Sequence, residues 1–301
     1  MSHAPAALRP LVITGPTASG KSSAALSLCE HYGATLLAMD AMTVYRGMDI
    51  GTAKPTSADR ARVQHEGLDL RHPTEAFSAA DFVALAEAVL ARGGPVVLCG
   101  GAPFYLRAFL DGLVPTAPVD LALRAELQAL PDAHARLAEV DPALAARLHP
   151  NDHVRIVRGL EVHRLMGVPL SSLHAADHPI RRPAEVVWLD APDLDERIDH
   201  RVLSMMEAGY LDEVTGLVEA GVPRTVKPMQ SLGYRFLAAH LAGECGLEEA
   251  VALTQQASRR FARKQRTHLR GLGFEPGGSV KEAAVRAFGR PPAGASRPVS
   301  G

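Results

Sequence analysis

The chain has 301 residues, of which 47% are hydrophobic and 22% are charged, so it holds enough apolar material for one large domain or two. This composition excludes a chain that is disordered throughout. Thirty-two basic and 33 acidic residues give a formal net charge of −1, which excludes a uniformly polybasic nucleic-acid binder but not a local basic surface.

The cellular compartment is predicted from the spacing of the cysteines and from the lack of signal-peptide and membrane-spanning patterns in the sequence. Three separated cysteines, Cys29, Cys99 and Cys245, form no C-x-x-C pair and predict neither a disulfide framework nor a zinc site. The first residues lack a charged region followed by an apolar core, so we expect no signal peptide. No apolar run reaches the roughly 18–20 residues that span a bilayer. We therefore expect a cytoplasmic protein without a membrane partner.

Strand and helix patterns alternate in the first third of the chain. A buried strand is predicted from Leu8 to Thr14, a second from Thr35 to Asp40 and a third from Pro95 to Cys99. Ser78 and Asp81 have the spacing of a capping pair that opens an intervening helix. Short turns join these elements, which favours an α/β fold with a parallel sheet and helices on both faces.

The pattern changes near residue 115. From 115 to 178 there are only short helical segments separated by prolines, which predicts a helical insertion domain. A strand returns at Glu185–Asp190, and Asp193 with Glu196 is predicted to cap the next helix. Further helices are predicted at 211–219, 229–241 and 247–269. The core therefore comprises residues 8–114 and 179–272, and the Pro/Gly/Ser-rich tail 286–301 is predicted to be disordered.

A phosphate loop connects the first strand to the first helix. The run Gly15-Pro16-Thr17-Ala18-Ser19-Gly20-Lys21-Ser22 satisfies G-x-x-x-x-G-K-[ST]. Its backbone amides and the helix N-terminus favour an anion, Lys21 neutralises a terminal phosphate, and the Ser22 hydroxyl is a predicted Mg²⁺ ligand. This motif predicts phosphate binding in a P-loop NTPase-like core, but it leaves the reaction type open.

Two candidate strands end in an acid. Asp190 precedes Ala191-Pro192 and is interpreted as a cap of the following helix. Asp40 follows the strand next after the phosphate loop, where a side chain faces the ligand pocket at the carboxyl edge of the sheet. A solvated turn carboxylate is the alternative interpretation of Asp40.

Several blocks resemble one family when they are taken together in chain order. The run from Asp40 to Pro55, which contains Tyr45-Arg46-Gly47-Met48-Asp49-Ile50-Gly51-Thr52-Ala53-Lys54, resembles the tRNA dimethylallyltransferase (isopentenyltransferase, IPP transferase) family. Further similar blocks are Gly100–Leu106, His149–Val162, Arg197–Arg201, Gly233–Arg235 and Ser258–Thr267. The resemblance extends over residues 10–271.

The resemblance implies transfer of a dimethylallyl group from dimethylallyl diphosphate to the exocyclic amine of the adenosine 3′ of the anticodon in tRNA. Lys21, Mg²⁺ and oriented amides then stabilise the diphosphate leaving group. Arg201 matches a family arginine that contacts the diphosphate, although a solvated helix charge is the alternative. Asp40 matches the family residue that accepts the proton of the amine. We expect a monomer.

The resemblance also implies tRNA contacts. They fall on Asp40, Ala41, Met42 and Thr43, on Ala102, on Arg124, and on Val154, Arg155, Ile156, Val157 and Arg158. Arg155 and Arg158 are three residues apart on a predicted helix and are expected on one face. The segment from Thr254 to Arg270 carries six Arg or Lys side chains and no acid, and Arg259, Arg263 and Lys264 are assigned to tRNA. A merely solvated helix face is the alternative here.

Departures from the family pattern keep other hypotheses open. Ala41 stands where the family has Ser, Ala102 where it has Thr, Val154 where it has Gln, and His268 where it has Trp. These changes remove polar groups from the RNA side. One alternative is a small-molecule P-loop kinase in which Asp40 activates a hydroxyl. The other is an inactive relative that still binds tRNA.

Overall fold

The computed structural model describes residues 8–175 and 182–290. The chain divides into two compact units, of which the first comprises residues up to Leu110 and from Arg182 onward. The second, Asp111–Arg181, begins at 111 rather than at the predicted 115. Every described element of the second unit is a helix, whereas the first unit holds the sheet. None of the helices that the structure describes is long and apolar enough to cross a membrane.

The sheet of the first unit consists of five parallel strands, in the order β3-β2-β4-β1-β5. They are β1 (Leu11–Thr14), β2 (Thr35–Ala38), β3 (His65–Glu66), β4 (Val96–Gly100) and β5 (Glu185–Trp188). β1 lies between β4 and β5, and Thr14 is opposite both Gly100 and Trp188. The predicted α/β fold with a parallel sheet is therefore confirmed. The sequence analysis did not predict β3, because a strand of two residues is too short to show a periodic pattern.

Helices are numbered in chain order. Those of the first unit are α1 (Lys21–Tyr32), α2 (Ser57–Arg62), α3 (Ala79–Ala91), α4 (Pro103–Asp111), α10 (Leu194–Glu207), α11 (Tyr210–Glu219), α12 (Tyr234–Leu241), α13 (Leu247–Gly271) and α14 (Val280–Phe288). Those of the second unit are α5 (Leu121–Gln128), α6 (Ala133–Val140), α7 (Pro142–Ala145), α8 (His153–Met166) and α9 (Leu170–Ala175).

Successive strand residues bury their side chains on opposite faces of the sheet. Leu11 and Ile13 pack in one hydrophobic cluster with residues of α1 and α14. Val12 packs in another with residues of α3, α4, α11 and α12. Both faces are thus covered by helices, which explains why the strands are continuous apolar runs rather than alternating ones.

The structure confirms one of the two helix caps that the sequence predicted, but not the other. Ser78 and Asp81 form both hydrogen bonds of the predicted capping box at the start of α3. Asp193 lies at the N-cap of α10, but its side chain makes no cap hydrogen bond. Asp193 therefore occupies the predicted N-cap position, but the predicted side-chain cap is wrong.

The helix predicted at 229–241 is interrupted. A 3₁₀ turn, Pro228–Gln230, precedes α12, which begins only at Tyr234. Gly233 between them has a φ of +80°, and a side chain there would overlap the ring of Tyr210. The Tyr210 ring packs closely against this glycine, and the 3₁₀ turn ends before it. The local sequence does not show this contact.

The tail prediction is wrong for residues 286–288. These residues belong to α14, where Ala283, Ala284 and Ala287 are buried in the cluster that includes Leu11 and Ile13. Arg286 adds an ion pair with Glu185 at 2.8 Å between Nε and Oε2. An alanine face has little apolar contrast in sequence, yet it lets a helix approach the sheet closely. Residues 291–301 lie outside the described residues.

Candidate active site

A cavity of about 800 Å³ lies at the carboxyl ends of the parallel strands, within the first unit. Residues that follow β1, β2 and β4 line it, together with one face each of α10 and α13. The helix residues are Ile198, Arg201, Val202 and Met205 from α10, and Thr254, Ser258, Phe261 and Gln265 from α13. Both sets have helical spacing, so each helix presents one side to the cavity. Parallel sheets of this kind bind ligands at this edge.

The phosphate loop, Gly15–Ser22, connects β1 to α1. Gly15 has a φ of +145°, and a side chain there would overlap the carbonyl oxygen of Leu189. Ala18 adopts a left-handed φ of +63°, a conformation that is costly for a residue with a side chain. Gly20, at the N-cap of α1, supplies no side-chain cap. The first amides of the helix therefore remain available to an anion.

Two cations face the cavity from different elements. Lys21 Nζ donates to the carbonyl oxygen of Pro16 at 2.9 Å. Burial lowers the pKa of Lys21 and the charge of Arg201 lowers it further, whereas the Asp40 carboxylate raises it. Burial also lowers the pKa of Arg201, which Asp40 raises. Arg201 has no hydrogen-bond partner among the residues that the structure describes. A partly buried guanidinium in this state favours an anionic ligand.

Asp40 lies in the turn after β2. Its Oδ1 accepts a hydrogen bond from the amide of Met42 at 2.7 Å, which orients the carboxylate. Ala41, Met42, Thr43 and Ala102 also line the cavity. The hydroxyl of Thr43 is buried and has no partner in the described part of the chain. The structure thus brings Lys21, Asp40 and Arg201 to one cavity.

Cys99, at the end of β4, also lines the cavity. Burial raises the pKa of its thiol to about 11, against the lowering effect of Lys21 and of a hydrogen bond with Ser22. The thiol is therefore neutral near pH 7 and is neither a nucleophile nor a metal ligand in this state. In residues 8–175 and 182–290, no group of three or more His, Cys, Asp or Glu side chains could hold a metal ion.

The sequence analysis did not assign Arg197, Gln265 or Glu213 to the site, although their hydrogen bonds hold the walls of the cavity. Arg197 Nε donates to the carbonyl oxygen of Ala18 at 2.8 Å. Gln265 bonds to both the phosphate loop and the end of β4. Glu213 accepts hydrogen bonds from the amides of residues 49–51 and from the hydroxyl of Tyr234. Arg197 and Gln265 belong to the similar blocks, but no pattern reveals their partners.

A family model described as IPP transferase matches residues 43–272. The chain belongs to the IPP transferase family. The resemblance predicted from the sequence blocks is therefore confirmed.

Named relatives of the chain agree with this IPP transferase assignment. A tRNA dimethylallyltransferase of Geobacter metallireducens is 45% identical over 276 residues, which cover 87% of this chain and 89% of that protein. The crystal structure of a Bacillus halodurans tRNA isopentenylpyrophosphate transferase is 33% identical, covers 87% of this chain and 86% of its own, and has a TM-score of 0.62. A eukaryotic dimethylallyltransferase acting on tRNA is 24% identical, with 87% and 70% coverage, and shares the fold at a TM-score of 0.74.

In this IPP transferase, the cations of the basic helix α13 are less available to a ligand than the sequence suggests. Acids from α10 and from the end of β5 pair with three of its cations. Arg259 pairs with Asp199, Arg263 with Asp195 at 3.3 Å, and Arg266 with Asp190 at 2.7 Å. The interpretation of Asp190 as a helix cap is therefore wrong, because the N-cap of α10 is Asp193. The segment from Thr254 to Arg270 itself carries no acid, but acids of other elements pair with half of its cations. Arg260 and Lys264 are exposed and have no partner among the described residues.

In the second unit, two of the arginines assigned to tRNA are held by an acid. Arg124 and Arg158 donate to the same Oε2 of Glu161, at 2.6 and 2.5 Å, and Glu161 has no exposed side-chain surface. Arg158 also donates to the hydroxyl of Thr116 at 2.6 Å. Arg155 is 68% exposed and pairs only loosely with Asp152 at 3.4 Å. Arg155 and Arg158 both lie on α8 at the predicted spacing, but only Arg155 is largely exposed, because Glu161 holds Arg158.

The other residues of α8 that the sequence assigned to tRNA also differ in their exposure. Ile156 and Val157 are buried in the hydrophobic core of the second unit, so their side chains do not face a ligand. Val154 is 81% exposed. The helix thus presents only Val154 and Arg155 outward from this segment.

Proposed function

We propose that this IPP transferase transfers a dimethylallyl group from dimethylallyl diphosphate to the exocyclic amine of the adenosine 3′ of the anticodon in tRNA, and releases diphosphate. One observation carries the proposal. In a chain of this family, a phosphate loop with Lys21, the carboxylate of Asp40 and the guanidinium of Arg201, which no described residue hydrogen-bonds, line the same cavity.

The diphosphate lies against the phosphate loop. Departure of diphosphate leaves negative charge on the bridging oxygen and positive charge on the allylic carbon. Lys21, Arg201 and the free amides at the start of α1 stabilise the negative charge, because they are oriented before the reaction begins. No nucleotide hydrolysis is needed for this step.

Asp40 acts on the acceptor amine. This amine is conjugated with the adenine ring and loses a proton as the new bond to carbon forms. The Met42 amide holds Oδ1 of Asp40, and the other oxygen is left to accept that proton. Burial lowers the pKa of both Lys21 and Arg201, and the charge of the same carboxylate opposes this lowering.

A Mg²⁺ ion fits the donors present. Mg²⁺ is commonly held by one or two protein oxygens, with substrate phosphates and water completing its shell. Ser22 lies in the cavity wall. Its hydroxyl would hold the ion, which would neutralise part of the charge of the diphosphate.

The tRNA binds through charge and through the cavity rim. The target base lies in a stacked anticodon loop and has to be extruded before its amine reaches the cavity. Ala41, Met42, Thr43 and Ala102 would contact the base, and the α13 cations would contact backbone phosphates. Val154 and Arg155 supply the contacts of the second unit. The cytoplasmic location and the monomeric state remain predictions.

One assay tests this function against its alternatives. The protein is incubated with bulk tRNA and radiolabelled dimethylallyl diphosphate, with labelled ATP in a parallel reaction. Label from the prenyl donor should enter tRNA, and label from ATP should enter no product. Phosphoryl transfer would favour a kinase, and tRNA binding without any transfer would favour an inactive relative.

A further inference from the structure

The peptide unit between Pro16 and Thr17 is held at both of its polar atoms. The Thr17 amide donates to Oε1 of Gln265 at 2.9 Å, and the Pro16 carbonyl oxygen accepts from Nζ of Lys21 at 2.9 Å. This peptide is trans, as are all those described. In a planar trans unit the N–H and C=O point in opposite directions, so a contact that fixes one also fixes the other.

Gln265 is itself held in one orientation. Its side-chain Nε2 donates to the carbonyl oxygen of Gly101 at 2.6 Å, and the residue is only 4% exposed. An amide N–H only donates and a carbonyl oxygen only accepts, so the two partners leave no freedom to exchange the oxygen and nitrogen of the Gln265 amide. A side chain at position 101 would overlap Nε2 of Gln265, which requires glycine there.

We propose that Gln265 is a positioning residue for Lys21. It sets the rotation of the Pro16–Thr17 peptide, and the carbonyl of that peptide aims the Lys21 ammonium at the diphosphate. Without Gln265, the partly buried Thr17 N–H loses its partner, and only the contacts of the Pro16 carbonyl with the Lys21 ammonium and the Ser19 amide, at 2.9 and 3.4 Å, still hold the peptide. The inference rests on the proposed function, because it takes Lys21 to bind the diphosphate leaving group.

The first test compares Gln265→Met with Gln255→Met. Methionine preserves length and volume but removes both hydrogen bonds. Gln255 lies on the same helix and donates to the backbone of Asp199 at 3.3 Å, but it does not line the cavity, so it is a matched control. We expect Gln265→Met to weaken pyrophosphate binding and slow single-turnover transfer by about 10–100-fold. Its tRNA affinity should match that of Gln255→Met. Unchanged pyrophosphate affinity and rate in folded Gln265→Met would overturn the proposal.

The second test asks whether the effect passes through Lys21. In a double-mutant cycle with Lys21→Ala, Gln265→Met should cost little further pyrophosphate affinity, because the group that it positions is already gone. Two effects that simply add would show that Gln265 acts by another route.

The third test uses Gln265→Glu, which also applies if Gln265→Met does not fold. An ionised carboxylate repels the carbonyl of Gly101, whereas the protonated form restores both hydrogen bonds. The ratio of pyrophosphate affinity between variant and wild type should therefore rise as pH falls, and should be flat in the Lys21→Ala background. A flat ratio with Lys21 present, or a pH dependence that survives without Lys21, contradicts the positioning role. Wild-type protein that neither binds pyrophosphate nor transfers the prenyl group would contradict the proposed function instead.

Discussion

At the level of single residues, the candidate site depends on two buried cations and on one carboxylate that offsets part of the effect of their burial. Burial lowers the pKa of both Lys21 and Arg201, and the Asp40 carboxylate raises both. The bound diphosphate would add negative charge beside the same cations. Removing any one group should therefore change substrate binding or chemistry rather than the fold, since none of the three belongs to the hydrophobic core.

Lys21→Ala removes the cation over the diphosphate. Loss of one preorganised group of this kind slows a reaction by roughly 10²–10³-fold. We expect a loss of this size in single-turnover transfer, with tRNA affinity retained. Lys281→Ala, at an exposed position on α14, is the control and should behave as wild type. A normal rate for Lys21→Ala would remove the phosphate loop from the reaction.

Asp40→Asn keeps the shape of the side chain and the bond from the Met42 amide, but it has far lower basicity. If Asp40 accepts the proton, the chemical step should slow by about 10²–10⁴-fold while dimethylallyl diphosphate affinity stays nearly constant. Measuring both quantities on the same variant separates this role from Mg²⁺ binding. A combined loss of diphosphate affinity and Mg²⁺ dependence would assign Asp40 to the metal, and a normal rate would make it a turn residue.

At the level of elements, α13 has two kinds of cation. Arg259, Arg263 and Arg266 are paired with acids, whereas Arg260 and Lys264 are exposed and free of partners among the described residues. Only a free cation releases the full share of counterions when it contacts phosphate, since a paired one must first leave its acid. The α13 surface available to RNA is thus narrower than its sequence suggests.

Neutralising Arg260 and Lys264 together as Gln should weaken tRNA binding. It should also lower the slope of log affinity against log salt concentration by about two, roughly one for each phosphate contact. Arg266→Gln is the matched control: it breaks the pair with Asp190, so it should lower the melting temperature and leave the slope unchanged. An unaltered slope in the double variant would exclude this part of α13 from the tRNA interface.

At the level of the whole molecule, each unit has its own core. The second unit buries Leu137, Ile156 and Val162 without a sheet, and it also buries Glu161 between Arg124 and Arg158. Burial would raise the pKa of Glu161, but the hydrogen bonds from Arg158 and Arg124 outweigh it and lower the pKa below its usual 4.5. Glu161 therefore links the stability of this unit to pH.

The direction in which stability changes with pH follows from the lowered pKa of Glu161. The unfolded state binds the proton more readily, so the stabilisation by Glu161 is present above its unfolded pKa and is lost as pH falls through the folded pKa. Glu161→Gln should cost about 2–3 kcal/mol of unfolding free energy at pH 7, the usual contribution of hydrogen bonds to a charged group, and less as pH falls below 4.5. Denaturant unfolding across pH measures this, with exposed Glu139→Gln as the control. An equal cost at pH 7 and in acid would contradict the linkage.

The local elements and the family are readable from the order of the amino acids alone. The phosphate loop and the capping box at Ser78 are short-range signals whose partners lie within a few residues, so pattern alone locates them. Four of the five strands are equally readable, because burial on both faces makes them apolar runs, whereas β3 consists of only two polar residues. The ordered blocks from residue 10 to 271 were sufficient to identify an IPP transferase.

Which side chains are available for binding depends on contacts that form only in the folded chain. The partners of Gln265 lie 248 and 164 residues away, and the acids that pair with Arg259 and Arg266 lie 60 and 76 residues away. Periodicity reports which face of a helix is buried, but not which charge another element places against it. For that reason Arg124 and Arg158 read as RNA contacts in sequence, while in the fold both bind the buried carboxylate of Glu161.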